Sequence, residues 1–209
     1  MSFLLPLLLF VILFATMALT YNEGIWSNAI RLINVVTAGL LAMNFFEPLA
    51  RVLDGVNATF TYFWDFIALW VIFGVSMVAL RYLTGFASRV KVRFLTIADQ
   101  IGSPVLALWV GWVLVGFTLT TFHTAPLARN FLFGGFRPGE KMFVGMAPDQ
   151  QWLGFVQQAS KGSLSRSVPD PFDPGGRFIA TYTTRRTNLQ KQAEVNGTFR
   201  VQSGSTPKR

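Results

Sequence analysis

The sequence predicts an all-α membrane protein with four transmembrane helices and a short helical C-terminal extension. Apolar residues make up 52% of the 209-residue chain, and its mean hydropathy is +0.44. Charged residues make up only 13%, against the ~25% that is usual in soluble domains. Four apolar segments each have roughly the ~20 residues that a helix needs to cross the hydrocarbon core of a bilayer.

The first two predicted spans are separated by a short polar turn. Residues 3–20 contain no charged residue. A cleaved signal peptide is the alternative, but no Lys or Arg precedes the apolar stretch, so we favour a retained anchor. The second span covers about residues 24–46, and Arg31 is its one charged residue. Because proline disfavours helix in the residue that precedes it, Glu47 and Pro48 should end this span.

The third and fourth predicted spans flank a basic loop. The third covers about residues 59–80, with Asp65 as its one charged residue. The fourth lies within residues 100–128, which contain no Asp, Glu, Lys or Arg. Pro104 stands in the first two turns of this span, near the helix start where proline is tolerated, and Pro126 closes it.

Lys and Arg residues in the loops set the expected orientation of the chain in the membrane. The loop between the third and fourth spans holds Arg81, Arg89, Lys91 and Arg93. Since loops rich in Lys and Arg face the cytoplasm, both termini should lie on the other side. Arg129, Arg137 and Lys141 follow the fourth span and favour the reverse orientation, but a long tail has less weight under this rule.

A basic, polar extension, residues 129–209, follows the four-span module of residues 1–128. The extension carries twelve Lys/Arg and five Asp/Glu, a net charge of +7, whereas the module carries six and five, a net charge of +1. Basic residues that flank membrane helices and meet anionic headgroups explain this charge, so we expect the lipid bilayer as a partner and no nucleic acid.

Two short amphipathic helices are predicted in the extension, at residues 149–160 and about 174–194. Asp173 is the expected N-cap of the second, with Pro174 at its first helical position. The end of the chain, residues 202–209, reads as disordered. Helices of this size bury little core alone, so they should dock on the membrane module, on each other, on a partner or on the bilayer surface.

Sequence signals of a soluble enzyme are absent. The chain has no Gly-x-Ser-x-Gly, no His-Glu-x-x-His and no phosphate-binding Gly-Lys-Ser/Thr loop. With no Cys and one His it also lacks the ligands of a zinc site. We therefore predict no catalytic residues, no metal, no cofactor and no enzymatic activity.

Polar groups at membrane depth are costly and are therefore the candidate functional residues. Arg31 and Asn34 lie in the second span, Asp65 in the third, and Asp99 at the start of the fourth. With Asn28, the first two form a patch at three-residue spacing that should face other helices or a cavity. Structural ion pairs and caps are the first interpretation, since a carboxylate such as Asp99 is favoured at a helix start. A substrate or ion pathway is the alternative.

Small residues and one histidine mark the fourth span. Ala107, Gly111 and Gly116 predict close helix packing, either within one protomer or between protomers. His123 stands near the end of the span among threonines. One histidine cannot hold a metal alone, so we expect it to be hydrogen-bonded in the interior or at the interface.

Three stretches carry a likeness to a known family. Residues 21–25 are a Tyr-Asn-Glu-Gly-Ile turn into the second span, and residues 81–86, Arg-Tyr-Leu-Thr-Gly-Phe, run into the basic loop. Residues 97–102, Ile-Ala-Asp-Gln-Ile-Gly, lead into the last span. In these stretches the chain resembles the colicin V production protein (CvpA) family of bacterial inner-membrane proteins. Glu23 and Gln100 depart from the basic residues that the family usually has there.

The likeness covers roughly residues 3–125 and leaves the extension outside the shared part. It implies a multi-pass protein of the bacterial inner (plasma) membrane, with a role in toxin production or export or, more broadly, in envelope homeostasis. It implies no established catalytic activity. We therefore expect a non-catalytic component that acts through other membrane or envelope proteins, or through a second copy of itself.

Two other classes of function stay open at this point. A small oligomeric channel or transporter would need a continuous polar path, and the spans offer mainly the patch around Arg31. An intramembrane enzyme would need paired reactive groups at matching depth, and Asp65 and Asp99 are the one pair to consider.

Overall fold

The computed structural model describes residues 3–57, 60–87, 96–127, 131–161 and 172–196, and this part of the chain is all-helical, without strands. Four helices are long and apolar enough to cross a membrane. These are α1 (Leu4–Thr20), α2 (Ile25–Val56), α3 (Thr61–Ala87) and α4 (Thr96–Thr124). Two shorter helices follow, α5 (Pro148–Ser160) and α6 (Phe178–Asn196). The predicted fold class, an all-α protein with four potential spans and a helical extension, is confirmed.

The four long helices alternate in direction, so the chain has two distinct ends. At the extension end, α1 and α3 begin while α2 and α4 finish and lead towards α5 and α6. At the distal end, α1 finishes, a 3₁₀ turn at Tyr21–Glu23 follows, and α2 and α4 begin. Helix α4 packs against α1, α2 and α5, and α2 packs along α3.

Two apolar clusters hold the bundle and the extension together. One joins α2, α3 and α4 to the two short helices, and includes Phe46, Phe73, Phe117, Trp152 and Phe178. The other joins α1 and α4 to the segment before α5, and includes Leu5, Leu9, Val115, Leu119 and Phe143. Of the docking alternatives left open by the sequence, the extension therefore uses the four-helix module itself.

Helix α2 is longer than expected, and the prediction that it ends at Glu47 and Pro48 was wrong. The helix passes through Pro48 and ends at Val56. The next turn continues because Ala50 is buried in the first apolar cluster and Leu49 packs against that cluster. Tertiary packing of this turn outweighs the cost of the missing proline N–H.

Helix α6 begins later than expected. The side chain of Asp173 accepts hydrogen bonds from the backbone N–H groups of Arg177 (2.7 Å) and Phe178 (3.1 Å). A turn closed by the hydrogen bond from the Gly176 N–H to the Asp173 carbonyl contains Pro174 and lies between Asp173 and the helix start at Phe178. Asp173 therefore caps α6 through its side chain from five residues before the first helical residue, Phe178. The prediction that Asp173 is the N-cap residue, with Pro174 at the first helical position, was wrong. The predicted disordered end, residues 202–209, lies outside the described residues.

Candidate functional site

Asp99 joins two helices at the distal end. Its carboxylate accepts a hydrogen bond of 2.6 Å from the backbone N–H of Ile25, the first residue of α2. It also lies in the first turn of its own helix, α4. One carboxylate therefore sits at two helix N-termini, where the partial positive charge and free N–H groups favour an anion.

The glycine before α2 fits this contact. Gly24 has φ of +88°, a conformation that favours glycine, and a Cβ built there would lie 3.3 Å from an oxygen of Asp99. The Gly24–Asp99 contact thus sets how closely the starts of α2 and α4 approach. This pairs two of the motifs that the sequence marked separately.

Asn28 ties three elements together beside this cap. Its Nδ2 donates to the carbonyl of Thr20 and to the hydroxyl of Ser103, both over 2.9 Å. The Ser103 hydroxyl in turn donates to the carbonyl of Tyr21. Asn28 is fully buried, so these bonds satisfy carbonyl groups at the end of α1 that lie away from water.

Arg31 and Asn34 bind different neighbours from Asn28. Arg31 forms a salt bridge of 2.5 Å with Glu23, and both side chains keep partial exposure. Asn34 donates from Nδ2 to the hydroxyl of Thr84 on α3 over 3.0 Å. The predicted polar patch is therefore divided among structural contacts. The ion pair expected for Arg31 is with Glu23, at the turn before α2.

Asp65 lies at the extension end and anchors α6 to α3. The side chain is 2% exposed, and one oxygen accepts hydrogen bonds from the Arg185 guanidinium and, over 3.2 Å, from the Tyr182 hydroxyl. Arg185 also donates to the carbonyl of Thr61 over 3.0 Å, and its guanidinium lies 5.1 Å from the ring centre of Tyr62. We name Asp65, Tyr182 and Arg185 the α6 anchor.

The α6 anchor shifts the titration of its tyrosine. Burial, and then the negative charge of Asp65, raise the pKa of Tyr182 well above its ordinary value of 10.0. The phenol therefore stays neutral and can donate to the carboxylate at any physiological pH. Sequence reasoning named Asp65 but neither of its partners. A single buried carboxylate in an apolar span was the signal that a cation had to come from elsewhere in the fold.

His123 and Asp149 form a second buried pair at the extension end. His123 Nε2 lies 2.9 Å from Asp149 Oδ2, and both side chains are fully buried. Arg186 on α6 donates to the carbonyl of His123 over 3.2 Å, and the Phe136 ring lies between the imidazole (5.0 Å) and the guanidinium (4.8 Å). The histidine is hydrogen-bonded in the interior, one of the two expected alternatives. Asp149 was predicted only as the start of a helix.

The three small residues of α4 serve two different contacts. Ala107 is fully buried. A Cβ at Gly111 would lie 3.1 Å from the Leu13 carbonyl on α1, and one at Gly116 would lie 2.9 Å from the Pro148 carbonyl at the start of α5. The strip therefore brings α4 close to α1 at one level and to α5 at another within this chain.

An apolar core separates the polar groups of the two ends. Val35, Met43, Val110 and Phe117 fill the space between them, each at most 2% exposed. Asp65 and Asp99 lie at opposite ends, so they are not brought together as a reactive pair. Within the described ranges, no group of three or more His, Asp or Glu side chains could hold a metal ion.

Comparison with known proteins gives no matching family model, no matching curated protein and no matching solved structure.

Proposed function

We propose that this chain is a non-catalytic component of the bacterial inner membrane, of the kind that its resemblance to the CvpA family implies, in envelope homeostasis or toxin production and export. In this proposal the bundle holds the extension as a fixed platform for another membrane or envelope protein. The α6 anchor carries the proposal, because it fixes one face of α6 to α3 and leaves the other face exposed.

The exposed face of α6 suits a protein partner. Thr181, Thr184, Thr187 and Asn188 follow one another along it, all exposed. Thr184 and Thr187 donate their hydroxyls back to helix carbonyls over 3.0 Å. Since these hydroxyls are already satisfied, the centre of the face presents methyl groups and an amide, with the exposed charges of Arg177 and Lys191 at its two ends. Low charge at the centre is the usual composition of protein interfaces.

A channel or transporter formed by one chain is disfavoured by the apolar core between the two ends. A polar path would have to run between copies of the chain. This alternative predicts ion or solute flux through vesicles that contain the purified protein, whereas the platform proposal predicts vesicles as tight as empty ones.

The platform proposal is tested by placing a photo-crosslinking amino acid at Thr184 or Thr187 in the native host. We expect one discrete adduct that is absent when the crosslinker is at Val75, which is exposed on α3. The adduct should be lost in Asp65→Asn at equal membrane abundance, because the anchor no longer fixes α6. An adduct unaffected by Asp65→Asn, or no adduct at either position, contradicts the proposal.

The role in the envelope is tested by deleting the gene. We expect the deletion strain to become more sensitive to detergents or to lose toxin secretion, with restoration by the wild-type chain but not by Asp65→Asn. A deletion strain with an intact envelope and unchanged secretion would argue against the CvpA-like role.

A further inference from the structure

The tight turn at residues 143–146, before α5, has the backbone geometry of a β-hairpin turn but carries apolar side chains. Phe143 and Met146 exchange backbone hydrogen bonds of 3.2 and 2.8 Å. Between them, Val144 and Gly145 have φ of +47° and +73°. Positive φ at both central positions is the geometry of a type I′ turn, where Asn, Asp and Gly predominate in water. A β-branched residue is unfavourable there.

The apolar side chains at the tip of this turn are not packed into the protein. Val144 is 64% exposed and Met146 is 40% exposed, although the neighbouring Phe143 is buried. A turn in water would gain from a polar residue at the position of Val144. The side chains at the tip therefore indicate an environment that is itself apolar.

Contacts with α1 set the depth of the turn. Helix α1 has 17 residues, or about 26 Å at the usual helical rise, slightly less than the ~30 Å of a hydrocarbon core. If α1 crosses the bilayer, its whole length lies in hydrocarbon. The Phe143 ring is 4.8 Å from the ring of Phe10, which lies about 9 Å along the helix from Leu4.

Contacts with α4 also place the turn beside the bundle, inward from the end of that helix. The Phe143 ring is 5.9 Å from the ring of Trp112, and the Trp112 indole donates to Gln151 of α5 over 3.1 Å. Trp112 lies about 18 Å along α4 from its end at Thr124. The segment between α4 and α5 therefore returns alongside the bundle instead of leaving it.

We propose that the turn Phe143–Met146 is inserted into the bilayer and that Val144 and Met146 contact lipid acyl chains. The backbone N–H and C=O groups of Phe143 and Met146 pair with each other, and these two residues flank a turn that packs on α1 and α4. This pairing confines the cost of irregular backbone at membrane depth to the N–H and C=O groups of Val144 and Gly145 at the tip. Lys141 is exposed just before the turn and can extend its ammonium to the headgroups.

The test uses single-cysteine variants, which is direct because the natural chain has no cysteine. Val144→Cys and Met146→Cys report on the tip, Lys141→Cys on its polar base, and Val75→Cys on an exposed position of α3. Each variant is labelled with an environment-sensitive fluorophore and reconstituted into phosphatidylcholine–phosphatidylglycerol vesicles. Quenching by nitroxide on the acyl chain and by aqueous iodide is then compared.

We expect acyl-chain nitroxide to quench the tip labels about as strongly as the label at position 75, with iodide quenching severalfold weaker than at position 141. Iodide quenching equal to that at position 141 overturns the insertion. So does stronger quenching by headgroup nitroxide than by acyl-chain nitroxide. If Val144→Cys disturbs the turn, the label at Met146→Cys still reports whether the tip is inserted. Neither result depends on whether α6 binds a partner.

Discussion

Two buried carboxylates, Asp65 and Asp149, obtain their partners from distant parts of the chain. Asp65 binds Arg185 across 120 residues of sequence, and Asp149 binds His123 across 26. The sequence could predict that Asp65 needs a partner, because a lone carboxylate in an apolar helix is costly. It could not predict which cation, because that choice depends on where α6 docks.

Removal of the Asp65 charge should destabilise the chain strongly. Asp65→Asn leaves the Arg185 guanidinium, whose side chain is 16% exposed, without its counter-ion. Breaking a buried pair from one side costs about 3–5 kcal/mol. Thermal unfolding in detergent micelles measures the loss. The control is Arg51→Ala, which breaks the exposed Arg51–Glu47 pair and should cost about 0–1 kcal/mol. Equal losses in the two variants would contradict the anchor.

Tyr182 should make stability depend on alkaline pH. In the unfolded chain a tyrosine ionises near pH 10, whereas in the folded chain burial and Asp65 raise the pKa of Tyr182 well above 10.0. The unfolded state therefore loses its proton first, so the contribution is complete below pH 10 and falls as pH rises further. Tyr182→Phe should remove this part of the decline in melting temperature. Tyr21→Phe, at an exposed position, should not.

At the scale of elements, the spans are predictable and their boundaries are not. All four long apolar helices occur where hydropathy places them, since an apolar stretch of this length reports directly on burial in lipid. The predicted end of α2 was wrong because Pro48 was taken as a local stop signal for the helix. Whether a helix continues past a proline depends on the packing of the next turn, which local rules do not contain.

Helix α5 docks in a notch that two glycines create. A Cβ at Gly39 would lie 2.6 Å from the Trp152 ring, and one at Gly116 would lie 2.9 Å from the Pro148 carbonyl. The sequence marked Gly116 as a packing residue but gave no partner, because the spacing of small residues along one helix does not show which element packs against it.

Filling this notch should weaken the fold. Gly116→Ala places a methyl group against the backbone of α5, which cannot move aside as a flexible side chain can. Overpacking of this kind costs about 1–3 kcal/mol. Gly74→Ala is the matched control, because nothing lies within 4 Å of a Cβ there and alanine favours helix. Chemical unfolding in micelles should rank Gly74→Ala at or above wild type and Gly116→Ala below it.

At the scale of the whole molecule, the chain begins at the same end of the bundle at which its extension docks. The fold class was predictable because composition and hydropathy alone separate membrane helices from soluble domains. The docking of α5 and α6 was not predictable, because it depends on single polar side-chain pairs and on small-residue notches in α2, α3 and α4. Which residues meet in such contacts is decided by the tertiary structure.

Orientation gives a prediction at this scale. The basic loop after α3 should face the cytoplasm, and the extension end should face away from it. A reporter active only in the periplasm, fused after Arg209, should therefore be active, and a cytoplasmic reporter at the same site should be silent. The same pair of reporters inserted in the basic loop should give the opposite signals. A cytoplasmic signal at the C-terminus would reverse the charge-based orientation.

The packing of α1 has a consequence for how the chain is made. Its buried residues Leu5 and Leu9 share an apolar cluster with Val115 and Leu119 of α4 and with Phe143, which leave the ribosome long after α1 has entered the membrane. During synthesis α1 must therefore wait in lipid as an isolated helix, and the bundle can close around it only when translation is well past Phe143. A chain released from the ribosome before Phe143 is made would keep its four long apolar helices, but α1 would lack part of the surface on which it packs.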